Sequence, residues 1–424
     1  MAIQRSSLAY IAILAGIAAL PPLSIDMNLP AIPDIEAAFQ VAPGQGSLTF
    51  SLFLLGFSVA PMLGGPVCDR YGRRPTLLVA LFANILAAFA CTLGFSFSLL
   101  LVSRLVQGTA CGVCVLVPLA MLRDTYSGSG ARKKLSAIMF VGGVAPLVAP
   151  ILGSGVLLFW GWPVIYGVQG GLSLVLFICI LFGIEETLPQ RPRNSVNAAT
   201  ILRGYKSIFT SPRFLGFALT QAFCFGCLFS YIAGSPGFML GQLHLSEQHY
   251  SLVFALTSLG VMAGSCASGI LGRREIPARR IISMGLGLMT IATGVISILL
   301  WRESTQLLVL VPLLFLVMSC FGLIQPNAMS EAVAPWSNMA GAASGALTCL
   351  QMLVGAAVSA LSPVLAGLMA PGKAMSLSML GAALCATTCA LLLGRTGSDS
   401  GLQGRASAPN RTRLEEAVVT TNES

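Results

Sequence analysis

Charge is scarce in this sequence. Only 9% of its 424 residues are Asp, Glu, Lys or Arg, against about 25% in a soluble domain. So little charge cannot clothe a water-facing surface on a chain of this length, which excludes a soluble enzyme, a nucleic-acid binder and a disordered scaffold. Histidine is scarcer still, with His244 and His249 alone. Both fall in or beside a short connection between apolar runs and read as solvated surface, so neither serves a metal or a general base in the apolar core. No G-x-x-x-x-G-K-[ST] stretch occurs, which excludes a P-loop ATPase and leaves an ion gradient as the energy source. Cysteine is plentiful, at twelve residues, but zinc spacing is missing. The pairs Cys111/Cys114 and Cys224/Cys227 sit in apolar runs without a histidine or a second pair nearby, and read as small packing residues. Neither a metal nor a cofactor is expected.

What the chain has is apolar length. Hydrophobic residues make up 55% of it, and mean hydropathy is +0.84. A bilayer core takes about 20 apolar residues per helix. Twelve runs qualify: 7–33, 45–67, 76–95, 98–122, 135–158, 163–184, 213–240, 249–271, 280–300, 306–329, 338–366 and 373–394. The expected fold class is an all-α polytopic membrane protein with twelve transmembrane helices. Connections are short except 185–212, which carries Glu185, Glu186, Arg191, Arg193, Arg203 and Lys206. That stretch is expected as a central cytoplasmic loop between a six-helix half (1–184) and a second six-helix half (213–394). Residues 395–424, rich in Ser, Gly, Thr and charge, read as a disordered tail. The first run is too long for a cleaved signal peptide and holds Pro21, Pro22 and Asp26.

The net charge of +9 is a matter of placement. With both chain ends in the cytoplasm, 21 of the 24 basic residues fall in the end segments, the central stretch and alternate loops around Arg73, Lys133 and Arg274. Only Arg302 and Lys373 lie on the other side, and Arg104 lies within a span. The positive-inside rule selects this orientation. The surplus charge meets anionic lipid, so no nucleic-acid partner is needed.

Two sets of six spans suggest an internal duplication. A faint echo supports it: Gly64-Gly65-Pro66-Val67-Cys68-Asp69-Arg70-Tyr71-Gly72-Arg73-Arg74 follows the second span, and Gly269-Ile270-Leu271-Gly272-Arg273-Arg274 follows the eighth. The stretch Gly65 to Arg74 resembles the G-x-x-x-D-R-x-G-R-R/K signature of the major facilitator superfamily. Leu23-Ser24-Ile25-Asp26-Met27-Asn28-Leu29-Pro30, Arg104-x-x-Gln107-Gly108, Arg123-Asp124-x-Tyr126, Ala145-Pro146-x-x-Ala149-Pro150-x-x-Gly153, Glu186-Thr187-Leu188-Pro189, Asn327-Ala328-Met329 and Met339-Ala340-Gly341 are similar to the Bcr/CflA group of bacterial drug:proton antiporters. The resemblance covers about residues 20–365. It implies a major facilitator fold and proton-driven export across the bacterial inner membrane, with a small molecule and protons as partners of a monomer.

Asp26 and Arg104 are the clear charges deep in predicted spans, and burying a carboxylate costs several kcal/mol. At 1.5 Å per residue, Asp26 lies about 27 Å up the first helix and Arg104 about 9 Å down the fourth, heights that agree in a core about 30 Å thick. A buried carboxylate whose proton responds to wetting and to a nearby arginine is what proton coupling needs; a structural polar pair is the alternative. Ala18 stands where some relatives of this fold carry a second carboxylate, and Asn28 where the group usually has tyrosine, which suits neutral or singly charged substrates. Asn28, Gln107, Gln221, Gln325, Asn327 and Gln351 either line a substrate cavity or bond neighbouring helices.

The resemblance further implies a gating loop of Gly65, Asp69, Arg70, Gly72, Arg73 and Arg74, with Asp124 joining its charges or capping its own helix. It also implies that Gly142, Pro146, Pro150 and Gly153 of the fifth span help to seal the two halves; small residues and prolines there also allow plain close packing and bending. Two other readings stay open: a transporter of one metabolite, such as an amino acid or a sugar derivative, and a membrane-embedded enzyme or sensor. The latter needs a catalytic constellation that two peripheral histidines do not provide.

Overall fold

The computed structural model describes residues 7–126, 128–188 and 198–393. In chain order its helices are α1 (Leu8–Asp26), α2 (Ile32–Phe39), α3 (Leu48–Tyr71), α4 (Arg73–Leu93), α5 (Phe97–Thr125), α6 (Gly128–Leu157), α7 (Pro163–Gly183), α8 (Ala198–Phe209), α9 (Pro212–Pro236), α10 (Glu247–Arg273), α11 (Ala278–Trp301), α12 (Leu307–Val333), α13 (Ala340–Ala366) and α14 (Pro371–Leu393). Among the described residues twelve spans are long and apolar enough to cross a membrane, α1 and α2 forming one of them, and no strand occurs. Serine starts several helices. Ser7, Ser96, Ser211 and Ser246 each accept a hydrogen bond from the backbone N–H three residues on, which satisfies an otherwise unpaired donor.

Successive spans alternate in direction. The turns at Gly72, Tyr126, 184–188, 210–211, 274–277 and 334–339 therefore share one face, called here the basic face for its arginines, and the connections between the other pairs of spans share the opposite face. Contacts agree with this. Arg213 pairs with Glu331 at 3.1 Å on the basic face, and Lys373 pairs with Glu303 at 3.2 Å on the other.

Glycine sets the closest packing, and it does so twice. In the first half α3 crosses α5 where a β-carbon on Gly56 would strike the Leu105 carbonyl and one on Gly108 the Phe53 carbonyl. In the second half α10 crosses α12 where Gly264 meets the Ser319 carbonyl and Gly322 the Val261 carbonyl. These are the second and fourth spans of each half. Without a hydrophobic force between helices in lipid, such backbone approach supplies the packing energy. The halves meet along α3 with α13 and along α6 with α10. Hydrogen bonds fasten this contact toward the opposite face: Ser47 to the Ala233 carbonyl at 2.6 Å, Ser51 with Ser359 at 2.8 Å, and Ser251 to the Pro150 carbonyl at 2.9 Å.

Two expectations are corrected. The first span is not one helix. It stops at Asp26, turns through Leu29–Ala31 and resumes as α2, because Pro30 and Pro33 cannot donate to the carbonyls of Asp26 and Leu29. The central stretch 185–212 is not only loop, since α8 occupies much of it. In the fifth span, Gly153 lies against the Met27 carbonyl, while Gly142 has open space around its would-be β-carbon. The expected tail, and residues 189–197 of the central stretch, lie outside the described residues.

Candidate functional site

Asp26 is the last residue of α1 and is only 4% exposed. Among the described residues, no basic side chain lies within ion-pair distance of it. Negative charge here is disfavoured twice, by burial and by the C-terminal end of the helix dipole. Gly153 presses on the backbone one residue later, and Tyr250 of α10 is close enough to feel the Asp26 charge. The carboxylate thus stands at a helix break, between its own half and a phenol of the other.

Arg104 is 1% exposed and, contrary to expectation, is not Asp26's direct partner. Its guanidinium is committed elsewhere. Nε donates to the Thr49 carbonyl at 3.3 Å and Nη1 to Gln107 Oε1 at 2.6 Å, and the group lies 4.6 Å from the ring centre of Phe53 and 5.7 Å from that of Tyr166. Gln107 then donates to Gln169 at 3.3 Å, and Gln169 to the Leu23 carbonyl at 3.4 Å. Arg104 therefore reaches the end of α1 through two amides rather than across an ion pair. A second strand of this network joins Ser24, Cys111, Asn84 and Ser173, and Ser173 returns to the Gln169 carbonyl at 2.8 Å. Five helices of the first half, α1, α3, α4, α5 and α7, share the network.

Gln169, Tyr166, Asn84 and Tyr250 escaped the reading of the sequence. A glutamine or asparagine inside an apolar run is a signal in itself, and Gln169 and Asn84 carried it. Of the proposed cavity residues, Gln107 serves Arg104, and Asn327 is committed to its surroundings, donating to Ser268 at 2.7 Å and to the Leu323 carbonyl at 2.8 Å. Gln351 is buried and Gln325 half-buried. Among the described residues, the buried polar atoms without a hydrogen-bond partner include the Asn28 side-chain oxygen, the Tyr166 hydroxyl and both amide atoms of Gln221. Unmet polar atoms in a dry interior cost free energy and point to a missing partner. The facing half adds its own hydroxyls, with Tyr231 on Thr257 at 2.7 Å and Tyr250 on Ser235 at 3.1 Å.

Among the described residues, the gating loop's side chains and backbone bond to partners in their own half. Arg73 bonds Asp69 and reaches Asp124 at 3.0 Å. The backbone N–H groups of Arg73 and Arg74 donate to the Glu186 carboxylate at 3.1 and 3.2 Å, and Arg74 Nη2 donates to the Leu181 carbonyl at 2.6 Å. Gly72, at φ 104°, makes the turn that a side chain would strain. Gly65 has open space around it, and Arg70 lies over the Tyr71 ring. Asp124 therefore joins the charge network. Its side chain is 19% exposed against 55% for Asp69. Asp124→Asn should cost on the order of 2 kcal/mol of stability and Asp69→Asn under about 1 kcal/mol, read as thermal midpoints in detergent; equal shifts would contradict this ranking.

Comparison with known proteins agrees with the architecture. The profile of the Major Facilitator Superfamily matches residues 14–360. The chain is 30% identical over 360 residues to the "Uncharacterized MFS-type transporter YdgK" of Bacillus subtilis (strain 168), covering 84% of this chain and 89% of that one. It is 28% identical over 347 residues to the "Multidrug resistance protein MdtL" of Shewanella sp. (strain ANA-3), covering 82% and 86%. It is 26% identical over 363 residues to the "Bicyclomycin resistance protein homolog" of Haemophilus influenzae, covering 84% and 89%. The crystal structure of a D-xylose-proton symporter shares the fold, with a TM-score of 0.70 at 14% identity over 91% of this chain and 97% of that one. With twelve membrane spans, paired glycine crossings in its two halves and a profile match across most of its length, the chain belongs to the Major Facilitator Superfamily of transporters.

Proposed function

We propose that this chain is a proton-coupled antiporter that exports small drug-like molecules across the bacterial inner membrane by alternating access, with both chain ends in the cytoplasm. One observation carries the reading: Asp26 is a buried carboxylate with no cation beside it among the described residues, placed at a helix break where the two halves face each other. Such a group holds a proton when its surroundings are dry and yields it when water or a substrate favours the charged form. Export direction and drug-like cargo rest on the names of the multidrug and bicyclomycin resistance relatives. The unpartnered Asn28 side-chain oxygen, Gln221 amide and Tyr166 hydroxyl supply donors and acceptors for an uncharged or singly charged molecule. The excess of arginine on the basic face supports a cytoplasmic position for that face.

The test is a toxicity panel in an exporter-deleted bacterium producing the protein. Resistance to several chemically unrelated compounds is the expected outcome. A response confined to one metabolite would replace this reading with that of a dedicated metabolite transporter.

A further inference from the structure

Pro66 lies inside α3 and has no N–H, so the Met62 carbonyl, one turn back, receives no hydrogen bond from its own helix. Tyr205 supplies one from outside. Its hydroxyl, on α8, donates to that carbonyl at 3.1 Å. The residue is 9% exposed, and burial pushes its phenol above the ordinary tyrosine value, so the proton it donates stays in place. Ile208, on the next turn of α8, is fully buried.

The same short helix holds the other half. It packs on α13, and Gly204 sits under the Met339 side chain. A methyl group on Gly345 of α13 would come within 2.6 Å of the Pro61 carbonyl of α3 and 3.8 Å of the Tyr205 hydroxyl. Cys349, one turn further along α13, is 7% exposed and lies within electrostatic reach of Tyr205. The segment that leads toward α8 is itself tied down, through Glu186, to the start of α4.

We infer that Tyr205 is a positioning residue for transport: α8 is a clasp whose hydroxyl, seated on the carbonyl that Pro66 leaves open, holds the α3–α13 seam shut at the basic face and must let go for that seam to part. The inference rests on alternating access in this family of transporters. It is independent of the cargo and of proton coupling.

The test reads thiol exposure in the full-length protein in membranes, with no substrate and no pH gradient. N-ethylmaleimide is added, and labelling rates at Cys349 and Cys227 are followed peptide by peptide in a mass spectrometer. Cys227, fully buried within the second half, reports general loosening. Tyr205→Phe should speed Cys349 labelling about fivefold, the equivalent of one hydrogen bond, with Cys227 unchanged. In a Pro66→Ala background residue 66 again gives Met62 a donor, so Tyr205→Phe should there change Cys349 labelling by less than about twofold. An unchanged Cys349 rate in Tyr205→Phe, a parallel rise at Cys227, or equal effects in the two backgrounds would each overturn the assignment. None of these outcomes touches the role given to Asp26.

Discussion

Asp26→Asn should reduce pH-driven uptake of substrate into inverted membrane vesicles to background while leaving binding of a neutral substrate intact. The substitution keeps the shape of the side chain and removes its titration. In the proposed cycle Asp26 takes a proton when the site opens to the acidic side and releases it on return, so each proton carries the free energy of the gradient. At about 2.3 kcal/mol per charge per 100 mV, one coupled proton sustains accumulation of about 50-fold. The asparagine variant should accumulate nothing above equilibration, and its substrate affinity should lose its pH dependence. The helix break sharpens this expectation. Because α1 ends at Asp26, an uncharged amide never carries the burial and dipole costs of a carboxylate there, so the variant should be no less stable than the parent. Full proton-driven accumulation by Asp26→Asn would remove Asp26 from the coupling step. Asp124 would then be the next carboxylate to examine, although its bond to Arg73 at 3.0 Å already gives it a structural task.

The limits of what could be read in advance follow from range. Spans were legible because an apolar run of about 20 residues is a long, redundant signal set by bilayer thickness; apart from the first, which runs on to Phe39, their ends in the structure fall within a few residues of the expected ones. The break after Asp26 was legible in principle, since Pro30 and Pro33 stand in the sequence, but hydropathy runs straight through it. The α8 helix was hidden by its charged surroundings, although Tyr205 and Ile208 share one helical face. Contacts between distant segments were out of reach. Nothing in Gly108 announces the Phe53 carbonyl, and nothing in Tyr205 announces the carbonyl freed by Pro66. The rise per residue put Asp26 and Arg104 at similar heights, but height says nothing of azimuth. That is why the direct pair failed and a relay through Gln107 and Gln169 took its place.

That relay makes Arg104→Lys the most informative conservative change in the protein. Lysine keeps the charge but not the planar fork, and the site is built for the fork. Its Nε and Nη1 serve different acceptors, the Thr49 carbonyl and Gln107, and the flat group lies against Phe53 with Tyr166 beyond. A lysine ammonium can meet one acceptor at a time and leaves the aromatic faces poorly filled. Hydrogen bonds to a charged group are worth about 1.5–3 kcal/mol each, so losing one should slow transport by roughly ten- to a hundredfold. Gln169→Leu, which cuts the relay beyond Gln107, should produce a smaller fall in the same direction without touching the charge. Both variants should retain substrate binding. Transport in vesicles and thermal midpoints, measured on the same preparations, separate the two explanations of Arg104. If Arg104→Lys transports at the parental rate, the fork has no part in coupling. If transport falls only in step with stability in both variants, the network is scaffolding for α1, and Asp26 acts without it.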